Sequence, residues 1–210
     1  MKGFFEIFKK FSELKPETIG ILVVLVLVCL FLILGRNRLK FNTKSIVYGG
    51  LTIALSFILS YIRVYKMPQG GSITLASMLP IFVYSYIFGP FAGIAAGIGL
   101  GILQLIQDAY VVHWVQLLLD YPIAFGVLGL AGLFRKNLPL GILFGGLMRF
   151  LAHFLSGFIF FAEYAPKGMN PIYYSFVYNI SYILPELIIC IIIYYIPNVR
   201  KSIDRIISNM

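Results

Sequence analysis

Long apolar runs, separated by short polar stretches, dictate what this chain of 210 residues can become. They occupy residues 19–35, 46–62, 73–88, 90–107, 115–134, 138–162 and 171–196. A run of about 18 apolar residues crosses a bilayer as a helix, because a helix satisfies its own backbone where no water can. The chain is 60% hydrophobic and only 12% charged, too little charge to cover a soluble domain of this length. These features predict an all-α, polytopic membrane helix bundle. Residues 41–210 form a six-helix membrane domain. Residues 1–40 add an amphipathic surface segment and one extra transmembrane helix.

The amphipathic segment sets Phe4, Phe5, Ile7, Phe8, Phe11 and Leu14 against Lys9, Lys10, Glu13 and Lys15 at helical spacing. The run at 19–35 is read as a retained helix and not a signal peptide, since RNRLK follows it where a small-residue cleavage site would stand. Lys and Arg gather at the ends of the apolar runs, not on a face or stripe, which argues against nucleic acid as a partner. Arg36, Arg38, Lys40, Lys44, Arg135, Lys136, Arg200, Lys201 and Arg205 fall on one side of a six-span topology. Only Arg63, Lys66 and Lys167 fall on the other. The positive-inside rule then places the first group, with the C-terminus, in the cytoplasm of a cell-membrane protein. That topology starts the extra N-terminal helix outside, against the rule. Cys29 and Cys190 lie within apolar runs and read as small hydrophobes.

Gly89, Gly93, Gly97 and Gly101 recur at four-residue spacing, which permits close backbone approach, inside the bundle or to another subunit. Ionisable groups inside a span are costly and usually face a cavity or a partner. Four stand out: Asp120, Arg149, His153 and Glu186. Arg149 and Glu186 read equally well as structural glue. Asp120, His153, Tyr174 and Asn179 fall in the outer halves of their spans and can meet in one pocket. Tyr121, Phe160, Phe161, Tyr164 and Trp114 supply nearby aromatic surfaces, and a carboxylate among ring faces suits a cationic aromatic ligand. Catalytic motifs are missing: there is no phosphate loop, no HExxH and no nucleophile elbow, and the two histidines lack metal spacing. The expectation is a binding protein, not an enzyme, with no cofactor and no metal.

The stretches MPQGGSITLASMLP (67–80), LLLDYPIAFGVLGLAGLF (117–134), RFLAHFLSGFIFF (149–161) and EYAPKGMNPIYYSFVYNISY (163–182) resemble the thiamine-specific S-components, the ThiT family, of energy-coupling-factor transporters. The resemblance covers about residues 44–198. It implies a membrane protein that binds thiamine from outside and is powered by a transmembrane coupling protein with two ATPase subunits. It also implies substrate-binding roles for Asp120, Tyr121, His153, Gly157, Tyr174 and Asn179. Phe161 stands where some members carry Trp, and Tyr65 is the nearest match to an aromatic that the family places after the first core helix. Gly50 and Ala54 match its small-residue contact to the coupling protein. Loop 63–74 is a candidate lid. The alternatives are an S-component for another vitamin and a ligand-binding membrane sensor.

Overall fold

The structure, a computed structural model, describes residues 42–208. The amphipathic segment and the extra helix expected at residues 1–40 lie outside the described residues. Among the described residues, five helices are long and apolar enough to cross a membrane: α1 (Thr43–Ser60), α3 (Pro90–Gln107), α4 (Trp114–Leu133), α5 (Leu138–Phe160) and α6 (Pro171–Tyr195). These match five of the six core spans expected from sequence.

The remaining span is shorter than expected. The run at 73–88 yields helix α2 only over Leu79–Phe88. Ten residues rise about 15 Å, roughly half the hydrocarbon thickness. Two features upstream exclude helix. Ser72–Thr74 form strand β2, paired antiparallel with β1 (Arg63–Lys66), and Ala76 adopts φ +56°. Pro80 then suits the first turn of α2, where a missing N–H costs nothing. At the other end Gly89, φ +94°, reverses the chain directly into α3.

The α4 helix is irregular. It begins as α-helix, widens into a π turn over Leu119–Ile123, and ends as 3-10 helix over Val127–Leu133. Pro122 sits inside the π turn and has no N–H for the helical ladder, so the turn is wide where it stands. The glycine ridge of α3 packs against this irregular helix. A methyl group at Gly101 would meet the Tyr121 carbonyl, and one at Gly97 the Phe125 carbonyl. One at Gly93 would overlap Ser85 and crowd Gly129. The ridge therefore serves packing within the bundle and is not free for another subunit.

Two features fix which helix ends lie together. Ser60 donates to Gln107 (2.9 Å), joining the C-terminal ends of α1 and α3. A side chain at Gly89 would strike Arg135, joining the α2–α3 turn to the α4–α5 turn. The basic positions Lys44, Arg135 and Lys136 thus share one end of the bundle, and hairpin β1–β2 the other. A further helix, α7 (Pro197–Ser208), follows α6 at the basic end. It presents Val199, Ile203 and Ile206 to an apolar groove with α1 and α2.

Candidate functional site

At the hairpin end, α3, α4, α5 and α6 surround a cavity of about 100 Å³. The π turn of α4 presents Asp120 and Tyr121 to it, α5 presents Arg149, His153 and Gly157, and α6 presents Tyr174, Ser175, Tyr178, Asn179 and Tyr182. The hairpin turn closes over it with Gln69, Gly70, Gly71 and Ser72.

Asp120 and His153 form the polar centre. His153 Nδ1 lies 3.0 Å from Asp120 Oδ1, and both side chains are largely buried. Gln116, one helical turn before Asp120, donates to its other oxygen at 2.6 Å. On the far side of the imidazole, Arg149 Nε donates to His153 Nε2 at 3.4 Å. These partners together assign the tautomer, with the proton on Nδ1 and Nε2 accepting. The ring is then neutral and pinned at both nitrogens, and it lines the cavity.

Asn179 is held with similar thoroughness. Its Nδ2 donates to the Ser175 carbonyl (2.8 Å) and its Oδ1 accepts from the Tyr182 hydroxyl (2.9 Å). Gly157 lets α5 and α6 close here, since a methyl group at that position would collide with Ser175 Oγ. Aromatic rings line the rest. Phe161 lies 5.9 Å from Tyr110, Tyr174 lies 6.0 Å from Tyr178, and Tyr182 stands edge-on to His153 at 6.1 Å. Tyr121 also turns its hydroxyl outward, accepting from Tyr110 N at 2.7 Å and so tying the loop after α3 to α4.

The hairpin is fastened at three points. Arg63 and Lys66 both reach Asp108, at 2.5 and 2.7 Å. The Tyr178 hydroxyl accepts from Gln69 N at 3.1 Å. At the base of β2, Thr74 and Ser77 both donate to buried Glu186, at 2.5 and 3.0 Å. Gly71 passes so close to Tyr182 that a β-carbon would stand 2.8 Å from its ring.

Seven of the eight expected ligand residues, Asp120, Tyr121, His153, Gly157, Phe161, Tyr174 and Asn179, line this one cavity. Tyr65 does not: it sits on β1, 57% exposed, outside the lining. Among the other aromatics named from sequence, Phe160 stacks on His113, Trp114 is 55% exposed, and Tyr164 reaches the site only through Tyr110 and Phe161. His113 itself caps α4, accepting from Val115 N at 3.1 Å. Gln116 and Tyr110 line the cavity and were missed by sequence reasoning, whereas the hairpin turn belongs to the loop 63–74 expected as a lid. For Gln116 the signal was there, in its i, i+4 relation to Asp120. Gly50 and Ala54 both lie exposed on α1, and nothing stands within 4 Å of a β-carbon built on Gly50.

Comparison with known proteins gives one consistent answer. The profile of the thiamine transporter protein family matches residues 46–204. A thiamine transporter, ThiT, from Bacillus subtilis is 38% identical over 145 residues, covering 61% of this chain and 75% of the relative. Another ThiT, from Lacticaseibacillus paracasei, is 34% identical over 122 residues, covering 49% of this chain and 61% of the relative. The solved structure of ThiT from Listeria monocytogenes superposes with a TM-score of 0.68 at 24% identity, covering 76% of this chain and 96% of that one, a likeness of fold. The family match spans α1 to α7 and every helix that lines the cavity, and on that extent this chain belongs to the thiamine transporter protein family.

Proposed function

We propose that this chain is the thiamine-binding S-component of an energy-coupling-factor transporter, capturing thiamine outside the cell for ATP-driven uptake by associated subunits. The observation that carries the proposal is the Asp120–His153 pair, 3.0 Å apart, set among aromatic rings beneath the hairpin. Thiamine joins a hydrogen-bonding aminopyrimidine to a permanently cationic thiazolium. The carboxylate of Asp120 accepts from the exocyclic amine. The neutral His153 ring and the faces of Phe161 and Tyr174 receive the cation, to which ring faces are attractive. The hairpin acts as the lid that shields the bound vitamin from water.

Family membership and the two ThiT relatives support thiamine over other ligands. The basic helix ends lie opposite the cavity, which supports a cytoplasmic C-terminus and an outward-facing site in the cell membrane. The same assignment brings the partners: a transmembrane coupling protein, meeting α1 at Gly50 and Ala54, and two ATPase subunits. The domain division that goes with it is an N-terminal segment, residues 1–40, and a substrate-binding domain, residues 41–210. The direct test is to purify the chain without added vitamin, identify what co-purifies by mass spectrometry, and titrate thiamine onto the emptied protein. Thiamine should be recovered and should bind; a different co-purifying molecule with no thiamine binding overturns the proposal.

A further inference from the structure

Glu186 is only 2% exposed, lies about 22 Å along α6 from Pro171, and is not part of the cavity lining. An ionisable group at that depth is costly and usually marks a functional element. Among the described residues it forms no ion pair. Its partners are two hydroxyls just after the hairpin turn, Thr74 at 2.5 Å and Ser77 at 3.0 Å. Those two stand 2.7 Å apart, and Ser77 N donates to Thr74 Oγ1 at 3.2 Å. The backbone between them bends through Ala76 at φ +56°, a conformation that a non-glycine residue keeps only where its surroundings fix it. While β1 is exposed from residue 64 to 66, Thr74, Ser77 and Met78 are 5% exposed or less, so the buried root of the hairpin is its β2 end. One stripe of α6 follows the hairpin down to that root. Tyr178 accepts from Gln69 N, Tyr182 packs against Gly71, and Glu186 takes Thr74 and Ser77, each helix residue four positions after the last.

We infer that Glu186 is a positioning residue for the lid: by holding Thr74 and Ser77 it fixes the root of the hairpin to α6 and keeps the hairpin closed over the cavity. The inference rests on the reading of the hairpin as a lid over thiamine and names what holds that lid in place. Glu186 touches no ligand; it acts through the backbone that leads from Thr74 back to Gly71 and Gln69 above the cavity. Two hydroxyls gathered on one carboxyl group hold a bend that apolar packing alone would leave free to straighten. The contact is directional, and it is buried from water at the one place where the hairpin enters the bundle. A ligand leaves only when the lid lifts, so the strength of this contact governs how long the ligand stays. Entry begins from the open lid and does not need the contact.

The test uses the full chain in lipid nanodiscs, with thiamine association and dissociation followed by stopped flow. Glu186→Leu removes the acceptor and should speed dissociation roughly 3- to 20-fold, the range for a hydrogen bond inside a membrane bundle, without slowing association. Glu186→Gln keeps an acceptor oxygen and should restore most of the parent's residence time. The paired change Thr74→Val, Ser77→Ala should act like Glu186→Leu, and all three changes together should add nothing further, as for partners in one interaction. Should the Leu variant fail to fold, Glu186→Gln and the Thr74 and Ser77 pair carry the comparison. Dissociation within twofold of the parent in the Leu variant or in the pair overturns the inference. So do effects that multiply in the combined variant, or an affinity lost through slower association, since either makes Glu186 an ordinary packing residue. A readout without ligand is the rate at which a maleimide modifies Ser72→Cys in a chain with Cys29 and Cys190 replaced by alanine. Glu186→Leu should raise that rate by a similar factor, and an unchanged rate overturns the inference. A parent that binds no thiamine overturns the proposed function, and the labelling rate then decides this inference by itself.

Discussion

Asp120 is oriented before any ligand arrives, with Gln116 on one oxygen and His153 on the other. Preorganisation of this kind removes the cost of ordering the side chain on binding. Asp120→Asn keeps the shape but exchanges a charged acceptor for an amide that must give up one hydrogen bond in the triad. Losing a hydrogen bond to a charged group costs about 1.5–3 kcal/mol, so thiamine affinity should fall roughly 10- to 150-fold by calorimetry. An affinity within twofold of the parent would remove Asp120 from the site. The principal polar residues were legible in the sequence because an Asp, a His and an Asn inside apolar spans have few other reasons to be there. Arg149 was ambiguous for a physical reason. Whether a buried Arg forms a direct ion pair with Glu186 depends on where Thr74 and Ser77 fall, and only the fold brings those two hydroxyls to the carboxylate. Tyr65 shows the limit of that reasoning: an aromatic at the right sequence distance stands on β1, where Val64, Tyr65 and Lys66 are all exposed.

The hairpin shows how an element reads differently from its residues. Hydropathy alone joins Ile73 to Phe88 in one span, but Ile73 and Thr74 are strand, and only ten residues of the run are helix. Strand pairing with Arg63–Lys66 is a non-local choice that a sliding apolar window does not register. The π turn in α4 escaped for a similar reason, since Pro122 announces an irregularity without saying which turn absorbs it. Spans with regular ladders were placed closely, α3 at the expected residues and α5 and α6 to within a few. The hairpin is fastened at its outer edge by Asp108, which lies just beyond the end of α3. The hydrogen bond from Lys66, with Arg63 beside it, holds the Asp108 carboxyl below its ordinary value of 3.8. A lowered carboxyl pKa means that the clasp is fully formed above that ordinary value and is lost as pH falls through the lowered one. The dissociation rate of thiamine should therefore be flat from neutral pH down to about pH 4 and rise below it. The clasp is partly exposed and screened, so Asp108→Asn should speed dissociation at neutral pH only about two- to fivefold, and should abolish the acid-side rise. Stopped-flow displacement of bound thiamine measures both. An acid-side rise that persists unchanged in the variant assigns it to another group.

At the scale of the whole molecule, cavity and basic helix ends occupy opposite poles, so on the proposed orientation a partner at the basic pole must grip a surface remote from the cavity. The glycine ridge of α3 is not that surface, because Gly93, Gly97 and Gly101 are filled by the backbone of α4 and by α2. On α1 the situation differs. Gly50 and Ala54 lie one turn apart and exposed, flanked by Val47, Leu51, Leu55 and Ile58, each more than half exposed. They make a shallow dent in an apolar helix face, and helix association in lipid depends on such close backbone approach. Tryptophan at both positions would fill the dent without touching the bundle interior, since nothing in the fold lies within 4 Å of a β-carbon on Gly50. The Gly50→Trp, Ala54→Trp double variant should therefore fold, bind thiamine with the parent's affinity, and fail to co-purify with the coupling protein or support uptake in cells. Loss of thiamine binding together with uptake would mean that the substitutions disturb the bundle itself. A variant that assembles and transports like the parent would leave the dent as ordinary lipid-facing surface. The coupling face would then be sought in the groove where Leu51 and Leu55 of α1 meet Val199, Ile203 and Ile206 of α7.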